Sequence, residues 1–457
     1  MKFVVKLVFN LILIYIIYFI VTVFVMTNFY PKDTINLNNN YQSDKEGQDI
    51  IALIDNNKGL QARINLIENA QETIDIIQFY INDDEAGNIF INELLLQADK
   101  GIQVRIIIDG KYNHISGLTG AYLGLLTEHP NIKVKLYEPF QPLKPWTINN
   151  FLHDKILIID NKQAMISGRN IGNRYFSDDV ANFVYDLDSV VTFNGTDYES
   201  SALKQISEYF TSMWNYDYSV YPQGVSDKKL IADKYQDINK KIVNSNFVKE
   251  SFNWDEISVP TNNITLISNP FDRFNKQPLV WNELANLINK AKKEVFINSP
   301  YIVPTKEIAR KIELNKLKNV EITMLTNSPK TSPNILAFSG YLRYKNDIIK
   351  NNNINVYEYQ GLGSLHSKSY IIDDYLSIVG SFNLDPRSAF LSTETMLVVD
   401  SDHFASLLKS YYQKQLDYSL LTDGLYSYKG EEIIIPPWKK NTFSIMRHVV
   451  ALIDHLV

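Results

Sequence analysis

The chain is predicted to be α/β: two pseudo-symmetric α/β/α sandwich domains with one active site at their interface, preceded by an N-terminal transmembrane helix. Three observations predict this. One stretch occurs twice: His153 to Asn170 reads HDKILIIDNKQAMISGRN, and His366 to Asn383 reads HSKSYIIDDYLSIVGSFN. Each copy has His, Lys two residues on, Asp five residues after the Lys, then a small-residue turn and Asn. His153/His366, Lys155/Lys368, Asp160/Asp373 and Asn170/Asn383 all recur at one constant offset. Around each copy, strand-like and helix-like apolar patterns alternate, as in sheets with helices on both faces. Finally, 457 residues exceed what one compact core usually holds.

The elements follow in order. Residues 50 to 71 carry helical spacing, with Ile51, Ile54, Leu60, Ile64 and Ile67 apolar. Thr73 to Ile81 alternates and reads as a strand. Asn88 to Lys100 is an amphipathic helix stopped by Gly101. Strands are expected at 103–109 and 132–137, with a helix at 120–128 between them. The first motif is itself a strand, because Ile156 to Ile159 is continuously apolar, as in a sheet covered on both faces. A strand from Asp186 to Phe193 and a helix from Ser200 to Trp214 complete the first domain, 49–217. Residues 218–262 hold Pro222, Gly224 and Pro260 and read as a connector with some helix. The second domain, 263–435, repeats the order: helices at 279–292, 308–317 and 334–350, strands at 294–302, 320–326 and 355–359, then the second motif. Tyr80-Ile81 answers Tyr301-Ile302, and Tyr137-Glu138 answers Tyr357-Glu358. The tail, 436–457, is amphipathic and suits either a membrane surface or the protein's own body.

Leu7 to Met26 is about long enough to cross a bilayer, with Asn10 its strongly polar member. A cleaved signal would have a shorter apolar core ending in small residues. Here the end is bulky, Val25-Met26-Thr27-Asn28-Phe29-Tyr30, which favours an uncleaved anchor over 1–30. Lys2 and Lys6 favour an N-inside, single-pass topology in the cell membrane, although Lys32 opposes it. Residues 31–48, rich in Asn, read as a solvated tether.

Composition narrows the partners. Net charge is -6 and pI about 5.7, which argues against a nucleic-acid partner. There is no cysteine, which excludes disulfides, thiolate metal sites and a Cys nucleophile. Tyr and Phe, at 28 and 23, suit β-rich cores and surfaces that meet lipid.

Residues two apart on a strand face the same way, so His153 projects with Lys155 and His366 with Lys368. Brought together about a two-fold axis, the halves give two imidazoles, two ammoniums and two amides, Asn170 and Asn383. That is a site for a small anion with several acceptors, and a phosphate fits. One unprotonated histidine attacks phosphorus to form phosphohistidine. The other, protonated, gives its proton to the leaving alcohol and then acts as base toward a second alcohol or water. With two lysines on the phosphate oxygens, no metal or other cofactor is required. Each working imidazole needs an acceptor for its second nitrogen. Glu394 is the candidate for one half and Asp188, then Asp186, for the other. Asp160 and Asp373 complete the motifs and are counted with His153, Lys155, His366 and Lys368 in the catalytic set, in a mainly structural role that ties down the loops carrying Asn170 and Asn383. Arg169 and Arg174 are either surface residues or headgroup contacts, and His114, His129, His403, His448 and His455 are ordinary.

The doubled H-x-K-x4-D pattern with its following Asn resembles the phospholipase D superfamily over nearly all of residues 50 to 435. QFYINDDEAG at 78–87, SGRNIGNRYF at 167–176, FTSMWN at 210–215 and GSFNLDPRSAFLSTE at 380–394 look like the bacterial cardiolipin synthases with one N-terminal hydrophobic segment. The resemblance implies transfer of a phosphatidyl group to phosphatidylglycerol through phosphohistidine and without metal. Phosphatidylethanolamine is a second candidate substrate. It also implies two phospholipase D-like lobes with the site between them, His153 as nucleophile and His366 as acid. The chain departs from the pattern at Ser167-Gly168, where Gly-Gly is common, and at Asn173-Arg174, where relatives often carry acidic residues. A phospholipase D that passes the same intermediate to water is the nearest alternative; a nuclease or an idle membrane scaffold fits less well. Oligomeric state is left open.

Overall fold

Strands that are apolar on both faces need cover on both faces, and the chain supplies it twice. A computed structural model of the chain describes residues 2–31, 41–43, 47–111, 121–222, 228–243, 245–271, 273–431, 433 and 435–457. Most of the expected tether, and His114, lie outside the described residues.

The first half contributes β1 (Asp49–Ile54), β2 (Thr73–Gln78), β3 (Gln103–Asp109), β4 (Ile132–Tyr137), β5 (Ile156–Ile159), β6 (Gln163–Ser167), β7 (Val184–Tyr185), β8 (Asp188–Phe193), β9 (Ser219–Val220) and β10 (Val259–Pro260). The second contributes β11 (Asn263–Ser268), β12 (Glu294–Asn298), β13 (Glu321–Asn327), β14 (Ile354–Tyr359), β15 (Ser364–Leu365), β16 (Ser369–Ile372), β17 (Leu376–Gly380), β18 (Thr395–Asp400) and β19 (Ser419–Leu421). The first sheet runs β10-β1-β8-β6-β5-β2-β3-β4-β9 and the second β11-β18-β17-β16-β12-β13-β14-β19. Apart from β10, the two orders are the same. In each, three central strands are parallel and the motif hairpin, β5–β6 or β16–β17, adds antiparallel beside them. Duplication is therefore visible in topology as well as in the motif.

The two sheets share a core. The helices Ala202–Trp214 and Asp402–Leu416 lie in the layer between them. Leu203, Ile206 and Phe210 from one, with Phe404, Leu408 and Tyr412 from the other, pack among Ile51, Ile158 and Val191 of the first sheet and Ile264, Ile371 and Val399 of the second. Full burial of such side chains stabilises by about 1.5–3 kcal/mol each. A short parallel ribbon, β7 with β15, also joins the lobes directly.

Several elements differ from expectation. Residues 49–54 form β1 against β8, and the helix is confined to Gly59–Glu68. The apolar run Ile50 to Ile54 fits helical spacing by chance, and a partner far along the chain decides its conformation. The helix expected at 308–317 is a single turn, Lys306–Ala309, followed by further turns that bury Leu317 while Leu314 stays exposed. The connector is part of the first lobe: its helix Lys228–Val243 buries Ile238, Trp254 is buried, and β10 extends the first sheet. The tail forms a helix, Pro437–Val450, which packs Phe443 on Phe338 of the protein's own body.

Asp160 and Asp373 require a correction. Each lies at the far end of its motif strand from the His/Lys pair and holds positive φ with the next residue, 52° and 53° for Asp160-Asn161 and 51° and 65° for Asp373-Asp374. Each begins a three-residue hairpin loop, 160–162 or 373–375, whose first two residues are left-handed, a conformation that Asp and Asn tolerate. The Asp160 carboxylate accepts the backbone N–H groups of Gln71, Glu72 and Thr73, each at 2.8 Å. Asp373 does the same for Lys292, Lys293 and Glu294. The motif aspartates thus clamp the hairpin to the start of β2 or β12, not to the loops carrying Asn170 and Asn383, and they do not enter the site. Asp160→Ala or Asp373→Ala is expected to lower stability by about 1–3 kcal/mol, as when a capping carboxylate is lost, read as a lower midpoint of thermal unfolding.

Candidate active site

Both motif histidines lie where a strand of one lobe meets the other lobe. β15 delivers His366 alongside β7, and the His366 N–H donates to the Tyr185 carbonyl at 2.8 Å. Leu152 makes a parallel bridge with Thr393, whose N–H donates to the Phe151 carbonyl at 2.9 Å. Each histidine is therefore set beside a carboxylate from the opposite half. His153 Nδ1 donates to Glu394 Oε1 at 2.9 Å, and His366 Nδ1 donates to Asp186 Oδ2 at 2.6 Å. With Nδ1 engaged, Nε2 is the nitrogen left for chemistry. Phe79 and Tyr175 pack edge-on against the two rings, at centroid distances of 5.4 and 5.5 Å.

Asp188, the first candidate in the first half for a histidine-orienting carboxylate, meets neither histidine. It accepts from Arg63 at 2.8 and 2.9 Å and from Ser167, and its other cation is Arg169. Strand alternation misleads here, because Asp186 sits in the break between β7 and β8. Arg169 is neither a surface residue nor a headgroup contact. It is fully buried and donates to the Tyr175 carbonyl at 2.7 Å and the Asp186 carbonyl at 2.6 Å, fixing the segment that holds Asp186.

The lysines behave alike in both halves. Lys155 Nζ donates to the carbonyl of His153, and Lys368 Nζ to that of His366. Both are buried, and burial pushes their pKa values down to about 7 and about 8. Their charges cross the interface: Lys368 acts on His153, and Lys155 on His366. Asn170 donates to the Tyr175 hydroxyl at 3.2 Å, while the side-chain oxygens of both Asn170 and Asn383 are buried without a partner. A half-turn of either amide presents an NH2 group instead, the donor that a phosphate oxygen needs.

The two histidine–carboxylate pairs are electrostatically unequal. Burial raises Glu394 to about 8, against the pull of Lys155 and the Ser381 hydroxyl. Burial also works upward on Asp186, but His366, Lys368 and Arg169 outweigh it and hold this carboxyl well below its ordinary range. His153 is driven well below its usual value by burial, then by Lys155, Lys368 and Arg387. His366 is lowered to about 3 by burial and Lys368, with Asp186 opposing. A phosphodiester would bring negative charge to both imidazoles and raise them.

Sequence reading also missed Ser381, whose hydroxyl donates to Glu394 at 2.5 Å, and Arg387, which lies over the Phe151 ring at 5.1 Å and acts on His153. Ser381 stands where the first half has Gly168, whereas Arg387 answers Arg174 at the same offset as the two motif histidines. His153, Asn383 and Arg387 line a cavity of about 570 Å3.

This geometry can be set beside known proteins. The family model described as "Cardiolipin synthase, PLD-like domain" matches residues 63–214 and 284–416, which is more than half of the chain. The chain belongs to this family. It is an enzyme of the phospholipase D superfamily, built from two repeated domains, and its family is one of phospholipid phosphatidyltransferases. Cardiolipin synthase C of Escherichia coli is 28% identical over 402 residues, covering 78% of this chain and 82% of the relative. Cardiolipin synthase of Clostridium perfringens is 26% identical over 396 residues, 84% of this chain and 74% of the relative. Phosphatidylserine synthase of Haemophilus influenzae shares the fold, with a TM-score of 0.62 at 16% identity over 89% of this chain and 95% of that one. The helical stretch Lys2–Asn28 is long and apolar enough to cross a membrane, with mean hydropathy 2.7 over 18 of its residues.

The histidine shifts fix an acid response. Both native-state values lie below the unfolded value of about 6.5, so the unfolded chain takes up protons first and stability falls as pH drops. For His366 the window runs from about 6.5 down to about 3. Thermal midpoints measured across this range are expected to fall less steeply for a His153→Gln, His366→Gln double variant than for the natural chain.

Proposed function

We propose that this enzyme transfers a phosphatidyl group from one phospholipid to phosphatidylglycerol, forming cardiolipin through a phosphohistidine. The observation that carries the reading is the crossed pairing, in which each lobe's histidine is oriented by a carboxylate of the other. Two imidazoles held this way, with Lys155, Lys368 and two amides around them, suit an in-line displacement at one phosphorus.

His153 is the proposed nucleophile. Burial and three cations keep it unprotonated, and its Nε2 lone pair attacks phosphorus. His366 is the proposed acid. The ionised Asp186 favours its protonated form once the anionic substrate has entered, and it passes a proton to the departing alkoxide. Lys155, Lys368, Asn170 and Asn383 hold the non-bridging oxygens. The primary hydroxyl of phosphatidylglycerol then replaces the first alcohol, gives its proton to His366 and attacks the phosphohistidine. Water entering instead gives phosphatidic acid, the hydrolase alternative. Leu7–Met26 is proposed to span the bilayer once, with Lys2 and Lys6 on the inner side.

The test is to incubate the purified, detergent-solubilised chain with labelled phosphatidylglycerol, with and without phosphatidylethanolamine, and to resolve all lipid products. Cardiolipin is expected, in a chelator-insensitive reaction; phosphatidic acid as the sole product would assign the hydrolase instead. Acid quenching is expected to trap label on His153. His153→Ala should abolish both trapping and turnover, and full turnover of that variant would defeat the mechanism. Asp186→Asn is expected to reduce turnover by about a hundredfold or more, the scale of general acid–base assistance, while the trapped intermediate still forms from donors with good leaving groups.

A further inference from the structure

The N-terminal helix does more than stand apart from the catalytic body. Its regular part ends at Ile20, and Val21–Val25 continues as a wider π-turn before a last 3-10 turn. Such wide turns inside helices frequently mark functional positions. The body grips this end from several directions. Tyr15 and Tyr18 donate to the carbonyls of Pro142 and Leu143 at 2.8 and 2.9 Å. Asn149 donates to the Val23 carbonyl at 3.0 Å, Asn275 to the Phe29 carbonyl at 3.0 Å, and the His455 ring to the Phe24 carbonyl at 3.0 Å.

The grip places the helix end in the wall of the catalytic cavity. Phe19, Val23 and Phe24 line the same space of about 570 Å3 as His153, Asn383 and Arg387. Ile453 and Leu456 close another side, and the Leu456 carbonyl accepts from Arg387. One part of the cavity thus carries His153, the Arg387 guanidinium, the Asp385 carboxyl and the Asn383 amide, and the other is hydrocarbon. Above it the helix surface from Phe3 to Ile20 is apolar and exposed almost throughout. A ligand fitted to this cavity has an anionic phosphate and an aliphatic chain joined end to end, and it can arrive along the apolar helix. The volume falls in the range of roughly 300–1,000 Å3 typical of sites that enclose a small ligand or one portion of a larger one.

We infer that this cavity seats an acyl chain of the phospholipid whose phosphodiester is cleaved, and that the foot of the N-terminal helix is a wall of the substrate site. The inference rests on the phospholipid reading above. Phe24 and Leu456 then set which chains fit.

The test compares turnover of dioleoyl- and dihexanoyl-phosphatidylglycerol by the full chain in detergent. Phe24→Trp and Leu456→Trp narrow the cavity and are expected to lower the long-to-short turnover ratio by about tenfold, as overfilling a packed apolar site does. Phe24→Ala widens it and is expected to raise turnover of the bulkier diphytanoyl lipid relative to the dioleoyl one. Should a Trp variant fail to fold, the Ala variant decides alone. Ratios that stay within about twofold of the natural chain's overturn the inference. The natural chain's own products separate the two failures: cardiolipin formation with unchanged ratios leaves the function standing and removes the chain seat, whereas no turnover of any phospholipid removes the function itself.

Discussion

Two histidine–carboxylate hydrogen bonds that cross the lobe interface, His153 with Glu394 and His366 with Asp186, govern the rest of the architecture. Neither lobe can orient its own imidazole, so the lobes must be held in fixed register. The shared helical layer, the β7–β15 ribbon and the Leu152–Thr393 bridge meet that demand with a continuous apolar core and with backbone pairing. An error of one residue in either pairing would turn the neighbouring side chains to the opposite face.

Around these bonds the chain buries an unusual amount of charge. Lys155, Lys368, Arg169, Asp186 and Glu394 are all inaccessible to solvent or nearly so. Burial of isolated charge is unfavourable, and each of these groups accordingly has named partners, often backbone carbonyls. The two carboxylates are not equivalent: the His366 ring, Lys368 and Arg169 together hold Asp186 ionised, whereas burial dominates at Glu394. An otherwise symmetric site thereby acquires two distinct ends, which is what a nucleophile and an acid require.

Much of this was legible in the sequence, because the motif records local chemistry twice in register. The parallel strands, the motif strand at Ile156–Ile159 and the His/Lys pairs follow from short-range patterns, whereas the returning hairpin strands β6 and β17 are not foreseen. What escaped depends on distant partners. Ile50 to Ile54 carries no local sign that β8 will pair with it. Asp186 and Asp188 differ by two residues, and the break in the strand between them, invisible in composition, sends one to His366 and the other to Arg63. Asp160 and Asp373 belong to the motif for the sake of a turn, although their recurrence beside His and Lys suggested the site. Ser381 answers Gly168, so repetition could not flag it, whereas Arg387 answers Arg174 at the constant offset and the repeat does carry its signal.

The crossed pairing carries a consequence for ancestry. A forerunner with a single lobe would have had to meet a twin of itself to complete any pocket, and its output would have depended on concentration. Joining both copies in one polypeptide makes that encounter intramolecular. It also releases them from identity, so that Asp could stand in one half and Glu in the other, Gly168 opposite Ser381, with each side drifting toward its own task.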